Sequence, residues 1–179
     1  FFKRMLDIAF VLFVITALWW VLLGSWLAVI LTSKGPGIFP QKRIGKNGAV
    51  FTCYKFRTMT QGTKEAGTHE LTQDNVTRVG RFLRKTKIDE LPQIWNILKN
   101  EISLVGARPC LPKQRSLIDA RARRGVLDEI GGITGWAQIH DVDMSDPGRI
   151  TELDAEYYLL RTIALDINII LATAIGRGQ

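Results

Sequence analysis

Two carboxylates stand side by side at Asp89 and Glu90 in KIDELPQIWN, and cations crowd them. Arg78, Arg81, Arg84, Lys85 and Lys87 precede the pair, and Arg108 follows it. A carboxylate in such company can attack phosphorus, as aspartate does in phosphoenzyme chemistry. Attack by an anion on a diphosphate requires cations that offset repulsion and carry the spreading charge. Arginine forks, lysines and a Mg²⁺ held on carboxylate oxygens are suitable equipment. A plainer reading competes: Asp89 is an ordinary helix N-cap and Glu90 a favourable first-turn charge. That reading leaves the surrounding cations unexplained.

The elements that must hold these residues can be read from periodicity. Val76, Val79, Phe82 and Leu83 form an apolar stripe, which puts Arg78, Arg81 and Lys85 on a basic face and Arg84 beside the following turn. A second helix opens at Asp89, with Leu91, Ile94, Trp95 and Leu98 on one face and Pro92 tolerable only in the first turn. Free N–H groups at such a helix start suit a phosphate. Upstream, IFPQKRI and AVFTCYKFRTM flank Gly45-Lys46-Asn47-Gly48 and predict a β-hairpin. Val50, Tyr54 and Phe56 share one face of its second strand, and Lys55 and Arg57 the other. Two cations on one face could hold a phosphate, although a solvated edge is the default for exposed charge.

The 179 residues make one domain, or one domain plus an anchor. A net charge of +7 points to an anionic partner: nucleic acid, anionic lipid or a phosphorylated substrate. The two cysteines, Cys53 and Cys110, match neither a metal spacing nor a disulfide framework, and His69 and His140 are isolated, which argues against zinc. From Ile8 to Ser33 no charged residue occurs. That stretch exceeds the roughly 20 apolar residues a membrane-crossing helix needs, and it is too long for a signal peptide. Lys3 and Arg4 precede it, and Lys34, Lys42 and Arg43 follow it. Basic residues on both flanks favour keeping both ends in the cytoplasm. A re-entrant hairpin broken between Thr16 and Ser25 satisfies that preference and a straight span does not. No proline forces the break, so both remain open on these residues.

Residues 60–77 read as a long polar loop. SLVGARP presents Arg108 from a glycine-containing turn, and RSLIDARARRG reads as an amphipathic basic helix with a solvated or lipid-facing surface. GGITGWAQ is glycine-rich and weak alone. HDVDMSDP reads as a polar loop in preference to a metal site. YYLLRTIALDINIILATAIG is too polar to span a membrane comfortably and reads as a helix on its surface or against the anchor.

Taken in order, these motifs resemble the bacterial sugar transferase family, the monotopic phosphoglycosyl transferases acting on polyprenol phosphate. The likeness runs from FKRMLD and the apolar anchor through TSKGPGIFPQKRIGKNG, FTCYKFRTM and VGRFLRKTKIDELPQIWNILKNEISLVGARP to GGITGWAQ, ELDAEYY and LDINIILATA. The resemblance implies an α+β, predominantly helical fold: a re-entrant membrane helix over residues 1–34, then a catalytic domain over 35–179 with a small β-hairpin and amphipathic helices at the membrane interface. It implies a protein on the cytoplasmic face of the bacterial inner membrane, in contact with lipid and compatible with a homodimer. It also implies transfer of a sugar-1-phosphate from a UDP-sugar to a polyprenol phosphate, releasing UMP. Asp89 takes the nucleophile's place, with Glu90 assisting and both near Mg²⁺. Arg84 and Arg108 match phosphate contacts, Lys55 and Arg57 are additions to them, and Gly135 and Gln138 fall on the nucleotide side. Three departures stand out: the anchor reads ALWWVLL where many members carry a proline, GARP replaces GPRP, and HDVDMSDP replaces a shorter asparagine-rich stretch. A different class of function is a non-catalytic, membrane-anchored basic module that binds anionic lipid or a partner enzyme. Nucleic-acid binding ranks last, for want of a recognisable motif.

Overall fold

The apolar N-terminus folds as two helices, α1 (Phe2–Ala17) and α2 (Trp19–Thr32), bent by 69° at Leu18. In the computed structural model residues 2–60, 62 and 75–177 are described, and most of the loop expected over 60–77 lies outside them. The bend needs no proline, because side chains take up bonds that the turn disturbs. Thr16 Oγ1 donates to the Leu12 carbonyl at 2.8 Å, a back-bond that loosens a helix. The Trp20 indole donates to the Ala17 carbonyl at 2.9 Å, replacing a backbone donor. Among the described residues no single helix is long and apolar enough to cross a membrane, whereas this bent pair passes that test jointly.

Both ends of the pair are fastened to the rest of the chain. At the start, Arg4 donates to the Ile97 and Leu98 carbonyls, and Lys3 to Asp166 at 2.9 Å. Asp7, fully buried, accepts from Ser103 Oγ and the Leu104 amide, each at 2.8 Å. At the far end, Ser33 accepts from Arg57 through its carbonyl and its hydroxyl. A straight helix over the same residues would part these ends by about 45 Å. The bend is what lets one globular body hold both.

The expected hairpin forms as β1 (Ile38–Ile44) and β2 (Val50–Phe56), antiparallel, with Gln41 opposite Cys53. Asn47 and Gly48 take the left-handed conformation in its turn. The faces divide as read, Val50, Tyr54 and Phe56 on one side and Lys55 and Arg57 on the other, but the cations take the inward side. Phe51 and Cys53 are buried, Val50 is 56% exposed, and Lys55 and Arg57 therefore lie on the inward side. Phe56 is buried as well, in a separate cluster with Val29 of α2 and Leu83.

Helix α3 (Arg78–Lys85) is N-capped by Thr77, whose hydroxyl accepts from the Gly80 amide. A Cβ at Gly80 would sit 2.1 Å from the Thr58 carbonyl oxygen, so the missing side chain brings α3 against the end of the hairpin. Val76 lies before this helix, in a bridge to Met59, and Phe82 is 60% exposed; the inward stripe is Val79, Gly80 and Leu83. A six-residue 3-10 turn (Ile88–Gln93) then leads into α4 (Ile94–Leu98), where Asn96 seals the open edge of β2 by bonding the Tyr54 amide and the Thr52 carbonyl.

Strand β3 (Ser103–Val105) pairs in parallel with β4 (Gly132–Thr134). The glycines of GGITG serve this pairing: a Cβ at Gly132 would fall 2.1 Å from the Gly106 nitrogen. Helices α5 (Arg115–Arg123), α6 (Trp136–Ile139), α7 (Pro147–Leu160) and α8 (Ile163–Ala174) complete the fold. It is mixed and mostly helical, as expected. Asp146 caps α7, and Thr162 starts α8 after a break at Arg161, so the C-terminal segment is two helices. Asp166 of α8 ties it to Lys3 and to Tyr157, against the start of the anchor.

Candidate active site

Asp89 is not an N-cap. The capping position belongs to Lys87, which takes the left-handed conformation (φ 58°) and offers no side-chain cap. Asp89 and Glu90 instead occupy the first turn of the 3-10 segment, each 8% exposed. The capping half of the plainer reading is thereby removed, while Glu90 keeps the first-turn place it was given.

The two neighbours have opposite surroundings. Glu90 Oε1 accepts from Lys55 Nζ at 2.6 Å and from Arg108 Nη2. Burial pushes the Glu90 carboxyl toward the neutral form, but Arg108 and Lys55 outweigh it and hold the group well below the usual carboxylate range. Among the described residues no hydrogen bond or ion pair engages Asp89. Burial, reinforced by the Glu90 charge, raises its carboxyl to about 6, against the pull of Lys55, Arg108 and Arg84. One carboxylate is committed, and the other is buried with no side-chain partner to neutralise it.

The cations are held from behind. Arg108 Nη1 donates to the Ile133 carbonyl at 2.8 Å, which links the GARP turn to β4. The Arg108 carbonyl accepts from Arg121 Nη1 at 2.8 Å, and Arg121 pairs with Asp154 at 2.6 Å. Arg121 is 1% exposed and Asp154 2%. This corrects the reading of RSLIDARARRG as a wholly solvated or lipid-facing helix: its Arg121 turns inward between α5 and α7. Arg43 Nη1 holds the adjacent Pro109 carbonyl at 2.9 Å and also bonds Gln41. Burial, then Arg108, lowers its proton affinity to about 10. From the sequence Arg43 reads only as a basic flank of the anchor and Arg121 only as part of a basic helix, whereas both are buried. The available signal was ELDAEYY, which carries the Asp154 that Arg121 needs.

Lys55, Asp89, Glu90 and Arg108 therefore come together. Burial of Lys55 lowers its proton affinity, with Glu90 opposing. Arg84 stands nearby, its Nε donating to Thr58 Oγ1 at 2.9 Å. Arg57 is directed elsewhere, toward Ser33 at the anchor's end, and its Nε and Nη1 are buried without a partner. The solvated-edge reading of Lys55 and Arg57 fails, since both side chains point into the protein. Gly135 lies where a Cβ would be 2.3 Å from the Gly106 carbonyl oxygen, and Gln138 Oε1 is a buried acceptor without a partner.

Among the described residues no three His, Cys, Asp or Glu side chains gather as a metal cage. Mg²⁺ is commonly bound by one or two carboxylates plus substrate phosphates. Asp89, whose carboxylate makes no side-chain bond, and Glu90 Oε2, which meets only Arg108 Nη1 at 3.5 Å, fit that kind of site, completed by a diphosphate.

A buried carboxylate of raised proton affinity thus lies beside a charge-neutralised partner and fixed arginines, on a body fastened to an apolar helix pair. The chain belongs to the bacterial sugar transferase family, whose profile matches residues 1–177. It is 38% identical to the undecaprenyl-phosphate glucose phosphotransferase of Komagataeibacter xylinus, over 96% of this chain and 35% of that protein. It is 34% identical to the UDP-N-acetylgalactosamine-undecaprenyl-phosphate N-acetylgalactosaminephosphotransferase of Aeromonas hydrophila, over 96% of this chain and 42% of that protein. The uncharacterized sugar transferase EpsL of Bacillus subtilis is 37% identical over 96% of this chain and 84% of its own length. The chain thus spans well under half of the first two relatives.

Proposed function

We propose that the protein transfers a sugar-1-phosphate from a UDP-sugar to a polyprenol phosphate through a phosphosugar carried on Asp89. The observation that carries this reading is the division of labour in the Asp89–Glu90 pair. Glu90 is neutralised by Lys55 and Arg108, while Asp89 remains without a cationic partner and with raised proton affinity. An Asp89 oxygen attacks the phosphorus that bears the sugar. The bond from that phosphorus to the UMP oxygen breaks, and UMP leaves with the electron pair. An oxygen of polyprenol phosphate then attacks the same phosphorus, which frees Asp89 and gives a polyprenyl diphosphate sugar.

Arg108, Lys55 and Arg84 offset the charge that gathers on the phosphoryl oxygens. Asp89 and Glu90 would hold Mg²⁺ together with the donor's diphosphate, where the ion supplies Lewis-acid neutralisation of that charge. Gly135 and Gln138 would face the nucleotide. Residues 1–34 would form a re-entrant anchor on the cytoplasmic face of the bacterial inner membrane, with 35–179 as the catalytic part. This step would open the assembly of a glycoconjugate on its lipid carrier.

Incubating the protein with Mg²⁺ and UDP-glucose, UDP-galactose or UDP-N-acetylgalactosamine, without acceptor, tests the reading. One donor should leave an adduct of sugar-phosphate mass that maps to Asp89, and EDTA should abolish UMP release. Normal turnover by Asp89→Asn would overturn the mechanism.

A further inference from the structure

Arg108 reaches Glu90 from a turn whose backbone is pinned at three successive residues. Arg121 holds the Arg108 carbonyl, and Arg43 holds the Pro109 carbonyl. The third pin is the Tyr158 hydroxyl of α7, which accepts from the Ala107 amide at 3.0 Å and donates to the Ile130 carbonyl at 2.9 Å. One oxygen thus joins the turn after β3 to the segment that enters β4. Arg108 directly follows the first of these joined residues, and the Ile133 carbonyl that Arg108 bonds lies in the strand just beyond the second.

The joint is close-packed. A Cβ at Gly131 would lie 2.7 Å from the Ala107 carbonyl oxygen, and one at Gly106 would lie 2.9 Å from the Ile130 carbonyl oxygen. The Gly132 amide also donates to the Ala107 carbonyl at 3.0 Å. Tyr158 is itself held in place. The Arg161 guanidinium stands 5.8 Å from its ring centre and bonds both oxygens of Glu129, the residue before Ile130, at 2.8 and 3.0 Å. Burial pushes the Tyr158 hydroxyl above the ordinary tyrosine range, so it keeps its proton and can donate while it accepts. Alanine at 107, where GPRP would place proline, is what makes the bond possible, because proline has no N–H.

We propose that Tyr158 is a positioning residue for Arg108: its hydroxyl fixes the GARP turn against β4 and thereby aims the guanidinium fork. This inference rests on the proposed function, in which Arg108 offsets charge gathering on the phosphoryl oxygens. A loosened fork still attracts the donor's diphosphate by its charge. It no longer meets the oxygens in the geometry where that charge develops, so the effect falls on the transition state.

The test uses the full chain in nanodiscs, with the UDP-sugar that gives UMP release. Tyr158→Phe keeps the ring and removes both bonds. It should lower kcat by roughly tenfold while the donor KM stays within about twofold. In an Arg108→Lys background, which has no fork to aim, Tyr158→Phe should lower kcat by less than about twofold. In an Ala107→Pro background, which has no N–H to give, it should not lower kcat, since loss of the hydroxyl also makes room for the proline ring. Amide exchange over 104–108 should quicken in Tyr158→Phe, a readout that needs no activity. A tenfold loss repeated in both backgrounds would overturn the proposal and leave Tyr158 a residue of general stability. Full kcat in Tyr158→Phe, or unchanged exchange over 104–108, would overturn it as well. No UMP release by the unaltered protein with any donor would instead defeat the proposed function itself, before any variant is compared.

Discussion

Two buried ionic clusters lie a short distance apart, and they are built to opposite ends. In the Arg121–Asp154 pair one cation meets one anion, both nearly inaccessible, and the remaining Arg121 donor is spent on the Arg108 carbonyl. At Asp89–Glu90 the anions are adjacent, the cations converge on Glu90 alone, and Asp89 is left over. The first cluster is closed, and ligand binding has nothing to add to it. The second stores an imbalance that a phosphate-bearing substrate or a metal ion can relieve. Perturbed acidity marks function in a protein when such an imbalance accompanies it, because structural pairs perturb acidity too.

The sharpest way to test that contrast is Asp89→Asn. Removal of the proposed nucleophile should cost at least about 10³-fold in activity, measured as UMP release. The same change should stabilise the fold. Burial makes Asp89 bind its proton more tightly when folded, so stability attributable to it falls as pH rises from its ordinary value of 3.8 to about 6. Relieving that should raise stability by about 1–3 kcal/mol at pH 7, read by thermal denaturation. A destabilised Asp89→Asn variant would show that the imbalance is not stored there.

The closed pair should respond in the opposite manner. Arg121→Met or Asp154→Leu alone should cost about 3–5 kcal/mol, and the double variant much less, because one unpaired buried charge is worse than none. The double variant should still lose activity, since the Arg108 carbonyl loses its donor. Retention of full kcat in a well-folded double variant would mean that Arg121 does not position Arg108.

Glu90→Gln should fall between the two, costing about 2–4 kcal/mol by leaving Lys55 and Arg108 without their anion. Its pH signature also has a definite sign. The Glu90 carboxyl is held below its usual range in the fold, so its contribution is present above about pH 4.5 and is lost as pH falls further. Smallest of all is the exposed Arg124–Glu152 pair, whose removal should change stability by less than about 1 kcal/mol. On the kinetic side, kcat/KM should rise through a pH near 6 as Asp89 ionises. A profile flat from pH 5 to 8 would remove Asp89 from the rate equation.

The Asp89–Glu90 pair was legible as a candidate site because adjacent carboxylates among six cations have few structural explanations. What surrounds it was less so. The hairpin's existence followed from its turn, but its inward face did not, since Phe51 and Cys53 compete with Val50, Tyr54 and Phe56 in the same alternation. Arg121 escaped because charged helix residues are solvated by default, and only a distant Asp154 reverses that. The bend at Leu18 carries no glycine or proline. It rests on an indole reaching back to a carbonyl, a bond that no local pattern encodes.

That bend also bears on how the protein would load a membrane. Inserted as the proposed re-entrant anchor, an apolar helix pair whose two ends are held by one body would displace lipid tails from the near monolayer and none from the far one. The areas of the two monolayers then differ by the cross-section of a buried wedge, a strain that flat bilayers resist and curved ones absorb. Occupancy on small vesicles should therefore exceed that on large ones at equal lipid, and it should fall when Trp20→Phe removes the donor to Ala17 and lets the wedge straighten.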